Sequence, residues 1–301
     1  MQIGRARAQL TELLSNETLH RLERLRLNPS RRLTNRSRGE HLSGKGGRSI
    51  EFSDYRDYVP GDDFRFVDWN VFARLNRPYL KLYHQEEEMH VVILVDASSS
   101  MVFEAKLERA QQLAAAFGVM GLMGGERVSV YAFNTPEGAP ARLRPCSGRA
   151  NMMKLFRFVE GIQGEGSQAV EEGIASCLKL HLGRGVAVLL SDFLTFGDVR
   201  RAFNIVFNAG LEPFALQILS PPELDPDLDG DVKLVDSETE QTLDVTSAGD
   251  LLGLYADYRL AFERELSTLA RQRNGRFLSI STEDGVASVL FDTLRRAGWV
   301  Q

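Results

Sequence analysis

Apolar residues in this chain fall into two rhythms, short unbroken β-branched runs and longer stretches with apolar residues three and four apart. The clearest run is VVILV at 91–95, five apolar residues without alternation, as in a parallel strand buried on both faces. It ends in Asp96. A second such run, GVAVLLSD at 185–192, also ends in a carboxylate. Helical spacing recurs over 6–27, 104–123, 151–159, 167–180, 250–273 and 286–297, and a further helix ends at 208. Strands are expected at 127–133, 141–146, 212–219 and 276–281. The connection into 141–146 is too short for a helical crossover, so that strand should be antiparallel and at an edge. A polar insert over 221–248 holds a hairpin, 232–235 against 242–245. This alternation of strand and helix predicts an α/β fold, a doubly wound and mostly parallel sheet flanked by helices.

Three stretches lie outside that rhythm. Residues 30–48 are rich in Arg, Ser and Gly without periodicity and read as a linker. The segment 50–88 is dense in aromatics and charges, with strands expected at 69–73 and 79–83 and with Trp69, Phe72, Tyr79 and Leu82 as its buried side chains. The expected organisation is therefore an N-terminal amphipathic helix and Arg-rich linker (1–49), a β-rich extension packed on the main domain (50–88), and the α/β domain (89–301) with its hairpin insert.

Composition narrows the function. The 301 residues are 43% hydrophobic with a formal net charge of -5, enough to bury a full core and unsuited to nucleic acid as the main partner. No apolar run approaches the roughly 20 residues that span a bilayer. Arg5 and Arg7 precede polar residues instead of a signal-peptide segment, so a cytoplasmic location is expected. Two cysteines, Cys146 and Cys177, are too few for a disulfide framework or a thiolate metal site.

The candidate chemistry sits at the ends of the two buried runs. Asp96, Ser98 and Ser100 place one carboxylate and two hydroxyls at alternate positions of one loop. Asp192 ends the second run, and Ser167 lies in a Gly-rich loop between them. Carboxylates and hydroxyls are hard oxygen donors suited to Mg²⁺, with Mn²⁺ or Ca²⁺ as alternatives. On local grounds the competing reading makes Asp96 a strand end and the serines a helix cap. Other patterns carry less. Gly39 to Lys45 matches a P-loop until Gly46, where Ser or Thr should hold Mg²⁺, and no buried strand precedes it. Asp54, Asp57, Asp62, Asp63 and Asp68 fit no calcium-loop spacing and have Arg56 and Arg65 nearby. No Gly-x-Ser-x-Gly elbow surrounds Ser167, and His20, His41, His84, His90 and His181 form no pattern with a nucleophile.

On these residues the sequence resembles the von Willebrand factor A domain, whose metal-ion-dependent adhesion site is Asp-x-Ser-x-Ser, then Thr, then Asp. Asp96, Ser98 and Ser100 match the first part, Ser167 stands at the Thr position and Asp192 at the last. The stretch EFSDYRDYVPGDDFRFVDWNVFARLNRPYLK at 51–81 resembles the signature of the bacterial family catalogued as domain of unknown function 58. The two resemblances imply a Rossmann-like fold and a non-enzymatic, metal-dependent protein interaction module. They also imply an adaptor or co-chaperone role beside a MoxR-type AAA+ ATPase, the metal gripping a partner's Glu or Asp. Longer members of that family carry transmembrane helices, and here any membrane association would run through partners. The competing expectation is a hydrolase or phosphotransferase using the same crevice.

Overall fold

The computed structural model describes residues 9–30, 34–37, 50–86, 89–179, 181–195, 197–226, 232–235, 242–245 and 248–301. The P-loop-like stretch Gly39 to Lys45 lies outside them. The chain divides into two compact units, Arg31–Glu88 and the remainder, Met1–Ser30 with Met89–Gln301.

In chain order the elements begin with helix α1 (Asn16–Leu22) and pass to β1 (Thr34–Ser37), β2 (Ile50–Asp57), α2 (Trp69–Leu75) and β3 (Tyr79–Glu86). The large unit resumes with β4 (His90–Asp96), α3 (Ser99–Val102), α4 (Lys106–Gly124), β5 (Arg127–Phe133), β6 (Ala141–Cys146), α5 (Met152–Glu160) and α6 (Val170–Leu178). It continues through β7 (Gly185–Ser191), α7 (Val199–Asn208), β8 (Leu211–Leu219), α8 (Pro221–Leu224), β9 (Val232–Val235), β10 (Thr242–Val245) and α9 (Ala248–Arg271). Strand β11 (Arg276–Ser281) follows, then α10 (Val286–Ser288) and α11 (Leu294–Arg296) joined by a π-helical turn.

The small unit is an antiparallel sheet in the order β1-β3-β2. Here the structure corrects the expected strand at 69–73, which is helix α2. The strand-favouring aromatic and β-branched residues of that stretch are overridden at its two ends. Asp68 caps the N-terminus by accepting from the Asn70 and Val71 amides, and Asn76 closes the C-terminus in a left-handed conformation at φ 53°. Trp69 is consequently 59% exposed, and Leu80 and Val67 are buried in place of the expected set, while Phe72, Tyr79 and Leu82 are half-buried. Three aspartates of this unit pair with nearby cations: Asp62 with Arg56, Asp63 with Arg65 and Asp68 with Lys81.

The large unit is an α/β fold around a six-stranded sheet in the order β11-β8-β7-β4-β5-β6, parallel except for β6, which is antiparallel and at the edge as expected. Successive residues of β4 feed opposite faces. Val91, Ile93 and Val95 join one core cluster with residues of α1, α4, α5 and the C-terminal helices, and Val92 and Leu94 join the other with α6, α7 and α9. Burial on both faces is what an unbroken apolar run demands. Gly121 lets α4 lie flat on the sheet, since a Cβ there would stand 2.6 Å from Val128 Cγ2.

Helix boundaries shift from expectation where caps intervene. Around 6–27 the described helix is only α1, capped by Ser15, although Leu14, Leu19, Leu22 and Leu27 all reach the core. The helix expected from 104 starts instead at Lys106 as α4, preceded by the single turn α3 and by two left-handed residues, Glu104 (φ 48°) and Ala105 (φ 58°). Helix α6 begins at Val170, leaving Ser167 in the preceding loop.

Candidate functional site

Because β4 is flanked by β5 on one side and β7 on the other, and helices α4 and α7 that follow β4 and β7 lie on opposite faces, the sheet reverses its winding between these two strands. The carboxyl ends of strands at such a switch point border the crevice where open α/β sheets bind ligands. Asp96 ends β4 and Asp192 follows β7, and both are buried, at 4% and 1% exposure.

Three loops are tied together around Asp96. Its Oδ1 accepts from the Ser98 amide at 3.0 Å and from Asn134 Nδ2 at 3.1 Å, and its Oδ2 accepts from the Ser191 hydroxyl at 2.7 Å. Asn134 follows β5 in a left-handed conformation at φ 63°, which Asn adopts more readily than most residues. It also bonds both the amide and the carbonyl of Gln168. Ser99 donates its amide to the Gly166 carbonyl. Gly164 and Gly166 make the close approach possible, since a Cβ on either would lie 2.7 Å from Ala97 O or Asn134 Cα.

Ser98 and Ser100 are buried with their hydroxyl oxygens 3.1 Å apart. The two hydroxyls thus pair in the loop whose Ser98 amide donates to Asp96. Ser167 belongs to the adjoining loop, where it is exposed. Asp192 has its own partners: Oδ1 accepts from the Leu194 amide at 3.0 Å, and Oδ2 accepts from the Lys106 ammonium at 2.8 Å. Lys106 is fully buried and reaches Glu223 Oε1 as well, at 2.5 Å. Glu223 is held in turn, its other oxygen accepting from the Ser220 amide and hydroxyl at the start of α8.

Burial, followed by the charge of Asp192, pushes the Asp96 carboxyl up to about 6, although Asn134, Ser191 and Ser98 all donate to it. A carboxylate has roughly four acceptor positions and three are used here, so one remains. That donor set, one under-compensated carboxylate and two buried hydroxyls, fits a small hard cation such as Mg²⁺, which binds through one or two carboxylates and keeps several waters. Among the described residues no group of three or more His, Cys, Asp or Glu side chains is gathered as a metal cluster. Hydroxyls and water would therefore complete the coordination.

Backbone strain gathers at the same place. Of the six non-glycine residues with positive φ among those described, Glu104, Ala105, Asn134 and Phe193 border this site. Left-handed conformations cost non-glycine residues about 1–2 kcal/mol each.

Lys106, Asn134, Ser191 and Glu223 are absent from the sequence-based candidates. Ser191 could have been suspected from its place beside Asp192. Lys106 carried a weaker signal, a cation opening a helix whose other buried positions are apolar.

The family model described as "Protein of unknown function DUF58" matches residues 54–265, a span that holds every residue of this site. The chain belongs to the DUF58 family. Among relatives of this DUF58 protein, "Uncharacterized protein Rv1480" of Mycobacterium tuberculosis (strain ATCC 25618 / H37Rv) is 28% identical over 291 residues, covering 92% of this chain and 89% of the relative. "Uncharacterized protein Mb1516" of Mycobacterium bovis matches to the same extent. Solved structures with some likeness include the conserved hypothetical protein BatB from Bacteroides thetaiotaomicron, 14% identical with a TM-score of 0.42, covering 70% of this chain and 98% of that one. The pilus adhesin SpaC from Lactobacillus rhamnosus GG, in its open conformation, is 13% identical with a TM-score of 0.45, covering 71% and 30%. Among the described residues no helix is long and apolar enough to cross a membrane.

Proposed function

We propose that this DUF58 protein is a metal-dependent protein interaction module that holds a divalent cation at Asp96, Ser98 and Ser100 and binds a partner through that ion. The observation that carries the reading is the buried, under-compensated Asp96 carboxylate beside two buried hydroxyls at the sheet's switch point. A bound cation supplies a Lewis-acidic position that an incoming carboxylate can complete. The chain's own residues orient that position. Asn134 and Ser191 fix the Asp96 carboxylate, the paired serine hydroxyls lie in the loop tied to it by the Ser98 amide, Ser167 lies at the exposed rim, and Asp192 acts on the ion through its charge.

The resemblance to von Willebrand factor A domains supports a protein ligand with a Glu or Asp at its tip, and the resemblance to the DUF58 signature supports a MoxR-type AAA+ ATPase as its source. The role is then that of an adaptor or co-chaperone, without turnover of its own, acting in the cytoplasm. Capture of purified MoxR-type ATPase by the immobilised protein should require Mg²⁺ and be lost in EDTA and in Asp96→Ala. Equal capture under all three conditions sinks the reading. Phosphatase or esterase turnover abolished by Asp96→Ala would put a hydrolase or phosphotransferase in its place.

A further inference from the structure

Lys106 is a completely buried ammonium, reached from the first residue of α4, whose carboxylate partners come from two other loops. A buried lysine is costly unless paired, and here the pairing is with Asp192, the second carboxylate of the site. Asp192 Oδ2 thereby accepts from an ammonium and Oδ1 from the Leu194 amide, so its charge is neutralised locally. Glu223 cannot draw Lys106 away freely, because its other oxygen is anchored to Ser220.

We infer that Lys106 is the specificity-determining residue of the site: its fixed charge offsets that of Asp192, leaves Asp96 as the site's one carboxylate without a cation partner, and so selects an anionic over a neutral partner group. The inference rests on the metal-dependent reading above. A divalent ion facing one carboxylate keeps a net positive charge, and a carboxylate neutralises it where an amide does not. Were Asp192 unpaired, the ion would face two carboxylates, and an incoming third would gain far less. Two left-handed residues precede Lys106. Glu104 and Ala105 turn the chain between α3 and α4, and α4 opens with its first side chain directed at Asp192.

The experiment is a charge cycle on wild type, Lys106→Met, Asp192→Asn and the double variant. Mn²⁺ binding is measured by electron paramagnetic resonance in chloride, then with added acetate and with added acetamide. Wild type should bind Mn²⁺ and bind it more tightly with acetate than with acetamide. Lys106→Met should bind Mn²⁺ alone about tenfold more tightly, the equivalent of about 1.4 kcal/mol, and lose the acetate gain. Asp192→Asn should bind about tenfold more weakly, and the double variant should return to within about threefold of wild type with its acetate gain restored. Should Lys106→Met fail to fold, the comparison of Asp192→Asn with the double variant decides alone, since adding Lys106→Met must tighten Mn²⁺ about tenfold. If Asp192→Asn abolishes Mn²⁺ binding and the double variant does not recover it, Asp192 is a direct ligand and the inference is overturned. It is equally overturned if Lys106→Met leaves both Mn²⁺ affinity and the acetate gain unchanged. Wild type that binds no Mn²⁺ overturns the metal reading itself and this inference with it.

Discussion

Replacing Asp96 with Asn should stabilise the metal-free protein at neutral pH. The substitution keeps the side chain's shape. Asn Oδ1 can accept from the Ser98 amide and Asn134 as the carboxylate does, and Asn Nδ2 can donate to the Ser191 hydroxyl once that hydroxyl turns. What changes is the charge. In the folded chain the Asp96 carboxyl is raised from 3.8 to about 6, by burial first and by Asp192 second. The folded state therefore holds the proton more tightly than the unfolded state. Stability contributed by this group is fully present below about pH 4 and is lost as pH rises through about 6. At ~1.36 kcal/mol per pKa unit, the ionised side chain opposes folding by on the order of 3 kcal/mol at pH 7. A saturating cation works in the other direction, adding about 2.7 kcal/mol at 100 times its dissociation constant. The two magnitudes are alike, so wild type with Mg²⁺ should approach Asp96→Asn without it. Urea unfolding at pH 7 in EDTA should show Asp96→Asn more stable than wild type by about 1–3 kcal/mol, the gap closing toward pH 4. With millimolar Mg²⁺ only wild type should gain. An Asp96→Asn protein less stable than wild type in EDTA, or one that gains as much from Mg²⁺, refutes the reasoning.

Three further outcomes follow from packing. Gly173→Ala should cost about 1–3 kcal/mol in a urea titration despite the better helix former, because the new Cβ would meet the Phe133 ring at 2.3 Å; a stabilised variant would show that α6 is free to move off β5. In the small unit, Leu80→Ala should cost about 2–4 kcal/mol and Trp69→Ala under about 1, since Leu80 is buried and Trp69 is 59% exposed. The opposite ranking by chemical unfolding would restore the strand reading of that stretch. Cys177 is buried and its thiol is pushed up to about 12 by desolvation, with the nearby Asp96 charge adding to it. Iodoacetamide at pH 8 should therefore label the half-buried Cys146 first and leave Cys177 intact until the protein unfolds, as peptide mass mapping would show.

Much of the architecture was legible because it is written in short-range periodicity. The strand bounds 127–133, 141–146 and 276–281 and the hairpin strands 232–235 and 242–245 are the same in the sequence reading and in the structure. The placement of Asp96 and Asp192 at the ends of two buried runs followed from the runs themselves. Legibility failed where a few polar bonds outweigh the apolar pattern. At 69–73 the aromatic and β-branched residues of W-N-V-F-A fit a strand, but Asp68 and Asn76 supply caps at a helix's two ends, and those caps win. The helix expected from 104 starts only at Lys106, because the two residues before it are left-handed. Periodicity says which face of an element is buried and nothing about which side chain from a distant element will meet it there. Lys106 and Asp192 are separated by 86 positions, and Asn134 and Ser191 reach Asp96 across 38 and 95. Their meeting depends on β4 lying between β5 and β7, an order set by how the helices cover the two faces of the sheet. Chain composition assigns a lysine to the solvent by default, and only the closed crevice, with two carboxylates to receive the ammonium, makes its burial favourable.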